Sequence, residues 1–563
     1  MSTKKTQNGQ RRSLLTGASV LAAAAAAMAG APAMAQDAAE EEEAIVVTGS
    51  RIARQDYVAN SPIVTVGRED LEITGAQTVD TLLNQLPQFA PGINQSSNNP
   101  SNGGQANLQL RGLGSNRTLI LLDGRRVVPA NSTGTVDVNV LPAQLVGNIE
   151  VITGGASATY GSDAVAGVVN FLLRDLEGFE VSTQYGISDA GDGETKNISL
   201  ALGGEFADGN GRAMMMLGWD TRDSIYNGDR PFSGISGPSA ASPLGSTIFD
   251  ATNLPSAAAI TAAVPGALNT ETFGFNNDGS LFSYINRNQF LSPGGIGFDG
   301  GIVPGTTVFS PNFQYITGFL NELVIPLTRY NVFSHVEYSI NPNMTAYGEF
   351  LYTQFTSATE LAPTPSAGAA TGLRVPVTNP FISPELATVL ASRPTPGGTF
   401  LIDKRFNALG PRRSEERYNV GQITFGVEGE FADAGDWTYD IYASYGRSDR
   451  DTIQTGNVSR SAVQSLLNAA DGGVALCAGG YDWLGETALS AACQAFIGRT
   501  SKNVTVYEQR NVEALVQGGL FELPAGEVRL ALGATYREDT FGFIPDGSLT
   551  GAHVFTDEQA QIP

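Results

Sequence analysis

Side chains alternate between apolar and polar with a period of two residues along much of the chain after residue 177. The clearest stretches are residues 437–446 and 528–537, where aromatic and aliphatic side chains alternate with Asp440, Arg529, Arg537 and small polar residues. A period of two indicates a β-strand, because successive side chains point to opposite faces of the sheet. Since the polar face carries charge, the pattern predicts a sheet whose two faces meet different surroundings.

Nine segments with this texture are predicted to be antiparallel strands, and the connections between them alternate in length. The strands are expected at residues 178–188, 194–206, 211–222, 329–341, 344–356, 416–430, 436–449, 505–522 and 527–541. Every second connection is a tight turn, as at residues 207–210 and 341–343, whereas the others, after the first, are long. Short turns on one side and long loops on the other are typical of outer-membrane β-barrels.

After residue 36 no apolar stretch reaches the roughly 18 residues that a membrane-spanning helix requires. Such a chain can cross a bilayer only as a closed barrel, because every backbone polar group needs a partner there. We therefore predict antiparallel transmembrane β-barrel strands over residues 177–563, with the long loops outside the cell. Bacterial single-chain barrels use even strand numbers. Because nine is odd, we expect a fragment or a truncated gene product.

Residues 1–35 have the composition of a secretory signal peptide. Basic residues precede an apolar run, and Ala33-Met34-Ala35 supplies a small-residue cleavage site. The pair Arg11-Arg12 leaves the twin-arginine export route open beside the general one. The segment predicts an exported protein.

Charge and cysteine content narrow the function classes. The chain carries a formal net charge of -23, with two cysteines and two histidines. An acidic chain does not bind nucleic acid through general electrostatics. In an exported protein the even cysteine pair predicts one disulfide, Cys477–Cys493, with two unpaired thiols as the alternative. No phosphate loop, metal-ligand cluster or catalytic arrangement is recognisable, so we predict no catalytic residue, metal or cofactor.

Three sequence blocks between residues 43 and 170 carry a resemblance to a known family. They are Ala44-Ile45-Val46-Val47-Thr48-Gly49, then residues 110–126 with Leu110-Arg111-Gly112-Leu113-Gly114, and last residues 149–170. In this order they resemble the TonB box and plug domain of TonB-dependent outer-membrane receptors. Beyond residue 176 the sequence agrees with that family in texture only.

The resemblance implies a domain organisation and a set of partners. An α+β plug is expected at residues 57–176, after a leader with the TonB box at residues 36–56 and before the N-terminal part of a barrel. The sequence would supply about nine strands of a plugged barrel of about 22. A TonB-type energy-transducing protein of the inner membrane is expected to capture the TonB box by β-strand addition. Outer-membrane lipid and a small-molecule ligand are the other partners.

A group of plug-motif residues is expected to form the working part of the plug. They are Arg111, Gly112, Asp123, Gly124, Arg125, Glu150, Tyr160, Gly161 and Asp163. The charged members, together with Arg126, are expected to link the plug to charged side chains of the barrel lumen. Ion pairs in a wet lumen are individually weak, which would allow partial release under force.

The function implied by the resemblance is TonB-dependent import of a scarce nutrient across the outer membrane of a Gram-negative bacterium. An iron siderophore, a vitamin and an oligosaccharide are all open as the ligand. The alternative is a truncated fragment that does not transport and acts at most as a surface or periplasmic binding protein. An enzyme is not expected, because two histidines in this sequence make a convergent catalytic site sparse.

Overall fold

The structure, a computed structural model, describes most of the chain between residues 63 and 550. The described ranges are 63–70, 78–98, 103–154, 156–233, 238–239, 241–268, 270, 272–284, 288–291, 315–367, 372–432, 435–524 and 526–550. The predicted signal peptide, leader and TonB box lie outside the described residues. Within these ranges no helix combines the length and the apolar character needed to cross a membrane.

An α/β domain, called the plug below, surrounds a five-stranded sheet. Its strands are β1 (Ile63–Gly67), β2 (Thr118–Leu122), β3 (Arg125–Arg126), β4 (Val146–Ile152) and β5 (Gly167–Leu173). They lie in the order β1-β4-β5-β2-β3, with β2 and β5 parallel and the other neighbours antiparallel. Helices α1 (Val79–Leu83) and α2 (Ser157–Tyr160) and short 3-10 helices at Ser115–Arg117, Val138–Val140, Ala143–Leu145 and Ser162–Ala164 join them.

The turn Asp123-Gly124 places two arginines at the edge of the plug sheet. Both turn residues have positive φ, 46° and 76°, as a two-residue hairpin turn with the twist of its strands requires. All five residues of β2 are buried, so the hairpin is held by its apolar strand. Arg125 and Arg126 follow on β3, the edge strand of the plug sheet.

A nine-stranded antiparallel sheet, called the wall, follows the plug. Its strands are β6 (Gly178–Gly186), β7 (Thr195–Phe206), β8 (Gly211–Arg222), β9 (Leu327–Asn341), β10 (Met344–Leu361), β11 (Arg412–Glu430), β12 (Thr438–Val458), β13 (Gly498–Leu523) and β14 (Gly526–Ile544). Each strand pairs with the next along the chain. The nine predicted strands are thus confirmed, although β12 and β13 extend further toward the long loops than expected. Within the described residues the wall is not closed, and its edges are β6 and β14.

The two faces of the wall have the reverse of the polarity found in soluble proteins. On β9, Arg329 and Asn331 are 2% and 3% exposed, whereas the outward-facing Tyr330 and Val336 are 51% and 42% exposed. Soluble proteins bury aliphatic side chains and expose charged ones. Transmembrane barrels instead alternate apolar side chains outward with polar side chains inward. Strand β9 therefore has the polarity that is typical of a transmembrane barrel strand.

The three long connections of the wall fold together into one unit, called the cap, from residues 223–326, 362–411 and 459–497. One sheet joins Ser246–Ile248, Phe273–Phe275, Leu281–Ser283, Pro365–Ser366, Leu373–Val375 and Phe400–Arg405, and two strand pairs join Ile225–Tyr226 with Glu322–Val324 and Pro238–Ser239 with Tyr315–Ile316. Its helices are α3 (Ala257–Ala263), α4 (Pro384–Ala391), α5 (Arg460–Asn468) and α6 (Ala491–Ile497), with 3-10 helices at Asn227–Asp229, Gly318–Leu320 and Asn407–Leu409. After the wall, α7 is Gly547–Thr550.

Local sequence explains where the cap helices begin. Each of the four follows a serine whose hydroxyl accepts a hydrogen bond from a backbone N–H of the first turn, namely Ser256, Ser383, Ser459 and Ser490. Such N-caps satisfy an otherwise unpaired donor and contribute about 1 kcal/mol each. The cap also holds its own apolar core, in which residues from all three connections pack around Trp483. Cys477 and Cys493 form a disulfide within it.

Candidate functional site

The plug is fastened to the wall at Arg125. Its Nη1 donates to Glu349 Oε1 at 3.0 Å, and its Nε donates to the Tyr347 hydroxyl at 3.2 Å. The guanidinium carbon lies 4.0 Å from the centre of the Tyr347 ring, a favourable cation–π geometry. The Tyr347 hydroxyl in turn donates to Asp440 at 2.7 Å. Arg125 therefore contacts β10 through Glu349 and Tyr347, lies 3.7 Å from Glu428 of β11, and is linked to β12 through the Tyr347–Asp440 hydrogen bond.

The Arg125 guanidinium keeps its positive charge although it is largely buried. Burial opposes the positive charge of Arg125, but Glu349, Tyr347 and Asp440 together outweigh that effect and raise the pKa of the guanidinium above its ordinary value. His335 also approaches Glu349, with 3.3 Å between Nδ1 and Oε1, and its Nε2 lies 2.7 Å from Glu337. The Glu349 carboxylate is buried, so the Arg125 guanidinium provides it with a positively charged partner.

A second attachment joins the plug to the last described wall strand. Asp163 accepts from Arg126 Nη1 of the plug at 2.7 Å and from Arg537 Nη1 of β14 at 2.5 Å. Burial alone would raise the pKa of Asp163, but the bonds from Arg537 and Arg126 lower it. Arg126 also donates to the Tyr160 carbonyl, and Gly161 turns the chain there with a φ of 90°.

Between these two attachments a wall side chain pairs with the plug backbone. The amide of Gln422 on β11 donates to the carbonyl of Arg126 at 2.9 Å and accepts from the N–H of Val128 at 2.8 Å. A primary amide offers a donor and an acceptor side by side, so Gln422 pairs with the plug edge as a short strand would. This contact satisfies backbone groups that the edge of the plug sheet leaves open.

A third set of contacts between the plug and the wall lies nearer the cap. Arg329 of β9 donates to Asp220 at 3.0 Å and to the plug carbonyl of Asn139 at 3.1 Å. The Thr353 hydroxyl donates to the Val140 carbonyl at 3.2 Å. These wall side chains are buried, and their partners on the plug are backbone carbonyls. Such contacts do not depend on plug side chains.

Not every charge predicted to link plug and wall does so. Arg111 donates to the Ala166 carbonyl at 2.9 Å, and the Asp123 carboxylate accepts from the Leu173 N–H at 2.8 Å. Both bonds lie within the plug, so these two residues hold its loops to β5 rather than to the wall. Glu150 is buried on β4 of the plug sheet. The side chains of Arg125 and Asp163 contact charged residues of the wall, whereas that of Arg126 bonds to Asp163 and to the Tyr160 carbonyl within the plug.

Two glycines of the predicted motif occupy turns. Gly112 and Gly124 have φ values of 68° and 76°, which glycine adopts without steric cost. Their role is to shape the loops that carry Arg111 and Arg125.

The wall partners of the plug could not be predicted from the sequence. Tyr347, Glu349 and Gln422 lie on the polar face of the predicted strands, so their inward direction follows from the alternation. Which of the many polar side chains meets the plug depends on the position of the plug inside the wall. The period of two carries no information on that position.

Asp137 is a buried carboxyl in the plug that sequence analysis also missed. Its Oδ1 accepts from the N–H groups of Ala106 and Asn139 at 3.1 and 3.0 Å. Its Oδ2 has no hydrogen-bond partner among the described residues. Burial raises the pKa of Asp137 to about 7, and the hydrogen bonds from Asn139 and Ala106 only partly counter this.

This buried carboxyl predicts a pH dependence. Because its folded-state pKa is raised, Asp137 contributes stability that is fully present below the unfolded pKa of about 4 and is lost as the pH rises through about 7. Between about pH 5 and pH 7.5, wild type should lose about 2 kcal/mol more unfolding free energy than Asp137→Asn. Denaturant unfolding of the purified protein at the two pH values measures the difference.

Asp80 and Asp123, whose pKa values burial also raises, remain in the variant, so the difference isolates Asp137. Asp189→Asn, at an exposed turn residue, is the control and should keep the wild-type profile. Parallel profiles for wild type and Asp137→Asn would contradict the prediction.

Among the described residues, no group of three or more histidine, cysteine, aspartate or glutamate side chains could hold a metal ion. The site is therefore built from ion pairs, amides and hydroxyls. Its chemistry suits reversible attachment of one domain to another.

The fold and the site together define a class of protein. In this class an α/β plug is held by polar side chains against the inward face of an antiparallel wall whose outward face is apolar. The family model of the TonB-dependent receptor plug domain matches residues 57–168. Residues 57–168 thus match the plug domain of TonB-dependent receptors.

Curated relatives agree over part of the chain. The vitamin B12 transporter BtuB of Vibrio cholerae serotype O1 is 32% identical over 200 residues, which are 35% of this chain and 30% of that transporter. The chain thus spans less than a third of the length of the curated relatives it matches.

The chain also has low similarity to solved receptor structures. A ferric enterobactin receptor (PfeA) of Pseudomonas aeruginosa has 15% sequence identity and a TM-score of 0.38. The superposition covers 86% of this chain and 55% of the receptor chain. The ferric yersiniabactin uptake receptor FyuA of Yersinia pestis has 10% identity and a TM-score of 0.36, with 86% and 61% covered.

Proposed function

We propose that this chain is the N-terminal part of an outer-membrane transporter that imports a scarce nutrient with energy from a TonB-type protein of the inner membrane. The observation that carries the proposal is the seating of the plug domain against the wall, where Arg125 meets Glu349 and Asp163 meets Arg537. A plug fastened by a few polar contacts can be held shut and still be displaced by force.

The polarity of the wall supports a place in the outer membrane. Exposed aromatic and aliphatic side chains on β9 and its neighbours would face lipid, while Arg329 and the other buried polar side chains would face the lumen. The open edges at β6 and β14 leave backbone groups unpaired, which hydrocarbon does not tolerate. We therefore propose that further strands close the wall into a barrel, of which these nine are a part.

The TonB box is proposed at residues 44–49, ahead of the described plug. Ile45, Val46, Val47 and Thr48 are β-branched and favour extended backbone. Extended backbone is the substrate of β-strand addition, in which main-chain bonds provide the grip. The segment would thus be the point at which the inner-membrane partner pulls on the plug.

The ligand class is proposed from the relatives and stays broad. The 32% identical relative is named as a vitamin B12 transporter, so a vitamin is the first candidate, with an iron siderophore and an oligosaccharide as the others. The aligned part is less than a third of that transporter. Uptake of several nutrient classes must therefore be compared.

Val47→Pro in the protein expressed from its own gene tests the proposal. Proline removes a backbone N–H and so breaks the strand pairing that the partner needs. Initial uptake should fall at least about tenfold, while surface binding stays at the wild-type level because capture occurs on the other side. Radiolabelled cyanocobalamin, a ferric siderophore and a malto-oligosaccharide serve as probes in nutrient-starved cells.

Val47→Ala is the matched control, since it keeps the N–H and should retain most of the uptake. Unchanged uptake in Val47→Pro would exclude residues 44–49 as the captured segment. If wild-type cells take up none of the three probes although the protein is in the outer membrane, the non-transporting alternative is favoured.

A further inference from the structure

A closed ring of three hydrogen bonds joins the plug, the wall and the root of the first long connection. The Gln95 carbonyl accepts from the Ile325 N–H at 2.9 Å. The Ile325 carbonyl accepts from Arg222 Nε at 3.0 Å, and Arg222 Nη1 donates to the Gln95 side-chain oxygen at 3.1 Å. Each residue bonds to both others, although they come from three separate parts of the fold.

The ring lies in a protected place. Arg222 is the last residue of β8 and is 8% exposed, and Ile325, just before β9, is fully buried. A hydrogen bond from a charged donor is roughly twice as strong as a neutral one, and low exposure protects it from competing water. The plug contributes a half-buried residue, Gln95, through both its backbone and its side chain.

The charged groups around Arg222 also connect plug and wall. Asp80 on plug helix α1 attracts the guanidinium, and Arg329 on β9 repels it. Burial raises the pKa of Asp80, and the Arg222 charge acts in the opposite direction. Withdrawal of the plug would separate Asp80 from Arg222 as well as break the ring.

Both sides of the ring are held by further contacts. On the plug side, Gln95 belongs to the apical turn, residues 93–98, whose Ile93 carbonyl accepts from the Asn107 N–H at 2.8 Å. On the cap side, Ile325 follows the loop root, residues 321–324, where Asn98 of the turn donates to the Glu322 carbonyl at 2.8 Å. A movement of the loop root can therefore be transmitted to the plug core through a short series of hydrogen bonds.

We propose that Arg222 is a positioning residue that couples the root of the first long connection to the apical turn of the plug. This role rests on the proposed transport function and adds to it the route by which an event on the cap side reaches the plug. A ligand that displaces residues 321–324 would pull on Gln95 through the ring. The apical turn would then move with the loop root rather than independently of it.

Hydrogen–deuterium exchange of the intact, full-length protein in detergent tests the coupling without any transport. Gln95→Ala is the mild variant, because it removes the side-chain acceptor and keeps the backbone bond to Ile325. Gln95→Ala and Arg222→Gln should each speed exchange in both the apical turn and the Ile325 amide by roughly tenfold, as for a lost charge-assisted bond. The double variant should add nothing further, because the single changes break the same ring.

A second measurement asks whether a disturbance is transmitted. Glu322→Ala removes the carboxylate that accepts from the Glu360 N–H at 2.9 Å and so loosens the loop root from β10. In wild type this change should speed exchange at residues 93–98. In the Arg222→Gln background, Glu322→Ala should speed exchange at residues 93–98 by less than half as much as it does in wild type. If Arg222 had a purely structural role, this increase would be the same in both backgrounds.

Arg393→Gln is the matched control. Arg393 is also buried, and among the described residues its guanidinium donates within its own connection, to the carbonyls of Leu390, Pro396, Gly398 and Thr399. This variant should leave exchange of the apical turn at the wild-type rate. Additive effects of Gln95→Ala and Arg222→Gln, or an effect of Arg222→Gln confined to the loop root, would overturn the proposal. The uptake experiment with Val47→Pro tests the proposed transport function separately, because its result does not depend on the outcome of these exchange experiments.

Discussion

Arg125→Gln is expected to lower the unfolding free energy of the plug by about 3 kcal/mol, because removing one member of a buried ion pair leaves the other without compensation. Arg125 is the plug residue that reaches Glu349, Tyr347 and, at 3.7 Å, Glu428. His335 remains beside Glu349 in the variant, so the loss is placed at the low end of the usual range. Urea unfolding of the purified protein, followed by exchange of the plug amides, measures it.

The matched control is Arg510→Gln on β13, whose ion pair with Glu538 spans 3.6 Å and whose side chain is 61% exposed. Exposed pairs contribute little, so this variant should stay within about 0.5 kcal/mol of wild type. If both variants behave alike, Arg125 does not anchor the plug.

Trp483→Ala is expected to destabilise the cap by about 3–5 kcal/mol, the usual cost of replacing a buried aromatic side chain with alanine. Trp483 is fully buried. Its ring centre lies 5.0 Å from that of Phe275 and 5.8 Å from that of Phe400. Its indole N–H donates to the Asn379 side-chain oxygen at 3.1 Å, so the variant also removes one of the two hydrogen bonds to that oxygen and keeps only the one from the Phe381 N–H.

Amide exchange in α4 and α5 reports on the cap in this experiment, and exchange in the plug sheet serves as an internal reference. Val474→Ala, an exposed residue of the same connection, should remain within about 0.5 kcal/mol of wild type. Exchange in α4 and α5 that stays at the wild-type rate in Trp483→Ala would show that the three connections do not share one core.

The shared core of the cap bears on how its three connections would respond to a ligand. Three separate flexible loops could each close over a ligand, but we expect connections that share one apolar core to move together. The ring at Arg222 lies where this body joins the wall and the plug. A ligand effect on the cap would therefore be expected at the apical turn of the plug.

The sequence by itself determined the wall and the plug. The period of two is a local property of the backbone, so residues 437–446 indicated both a strand and the direction of each side chain before any partner was known. The turn Asp123-Gly124 was likewise set by local preference for positive φ. The ordered blocks at residues 110–126 and 149–170 indicated the plug family, and the family model matches residues 57–168.

Only the tertiary structure decided which polar groups meet. Arg125 and Glu349 are 224 residues apart in the chain, and no local pattern relates two positions at such a distance. The cap was predicted only as loops, because its core draws apolar residues from three segments that have no common period. Arg111 and Arg125 look alike in sequence, but one faces the Ala166 carbonyl inside the plug and the other faces the wall. The difference arises because the position of each turn relative to β5 and the wall, rather than the residue type, determines what a charged side chain can reach.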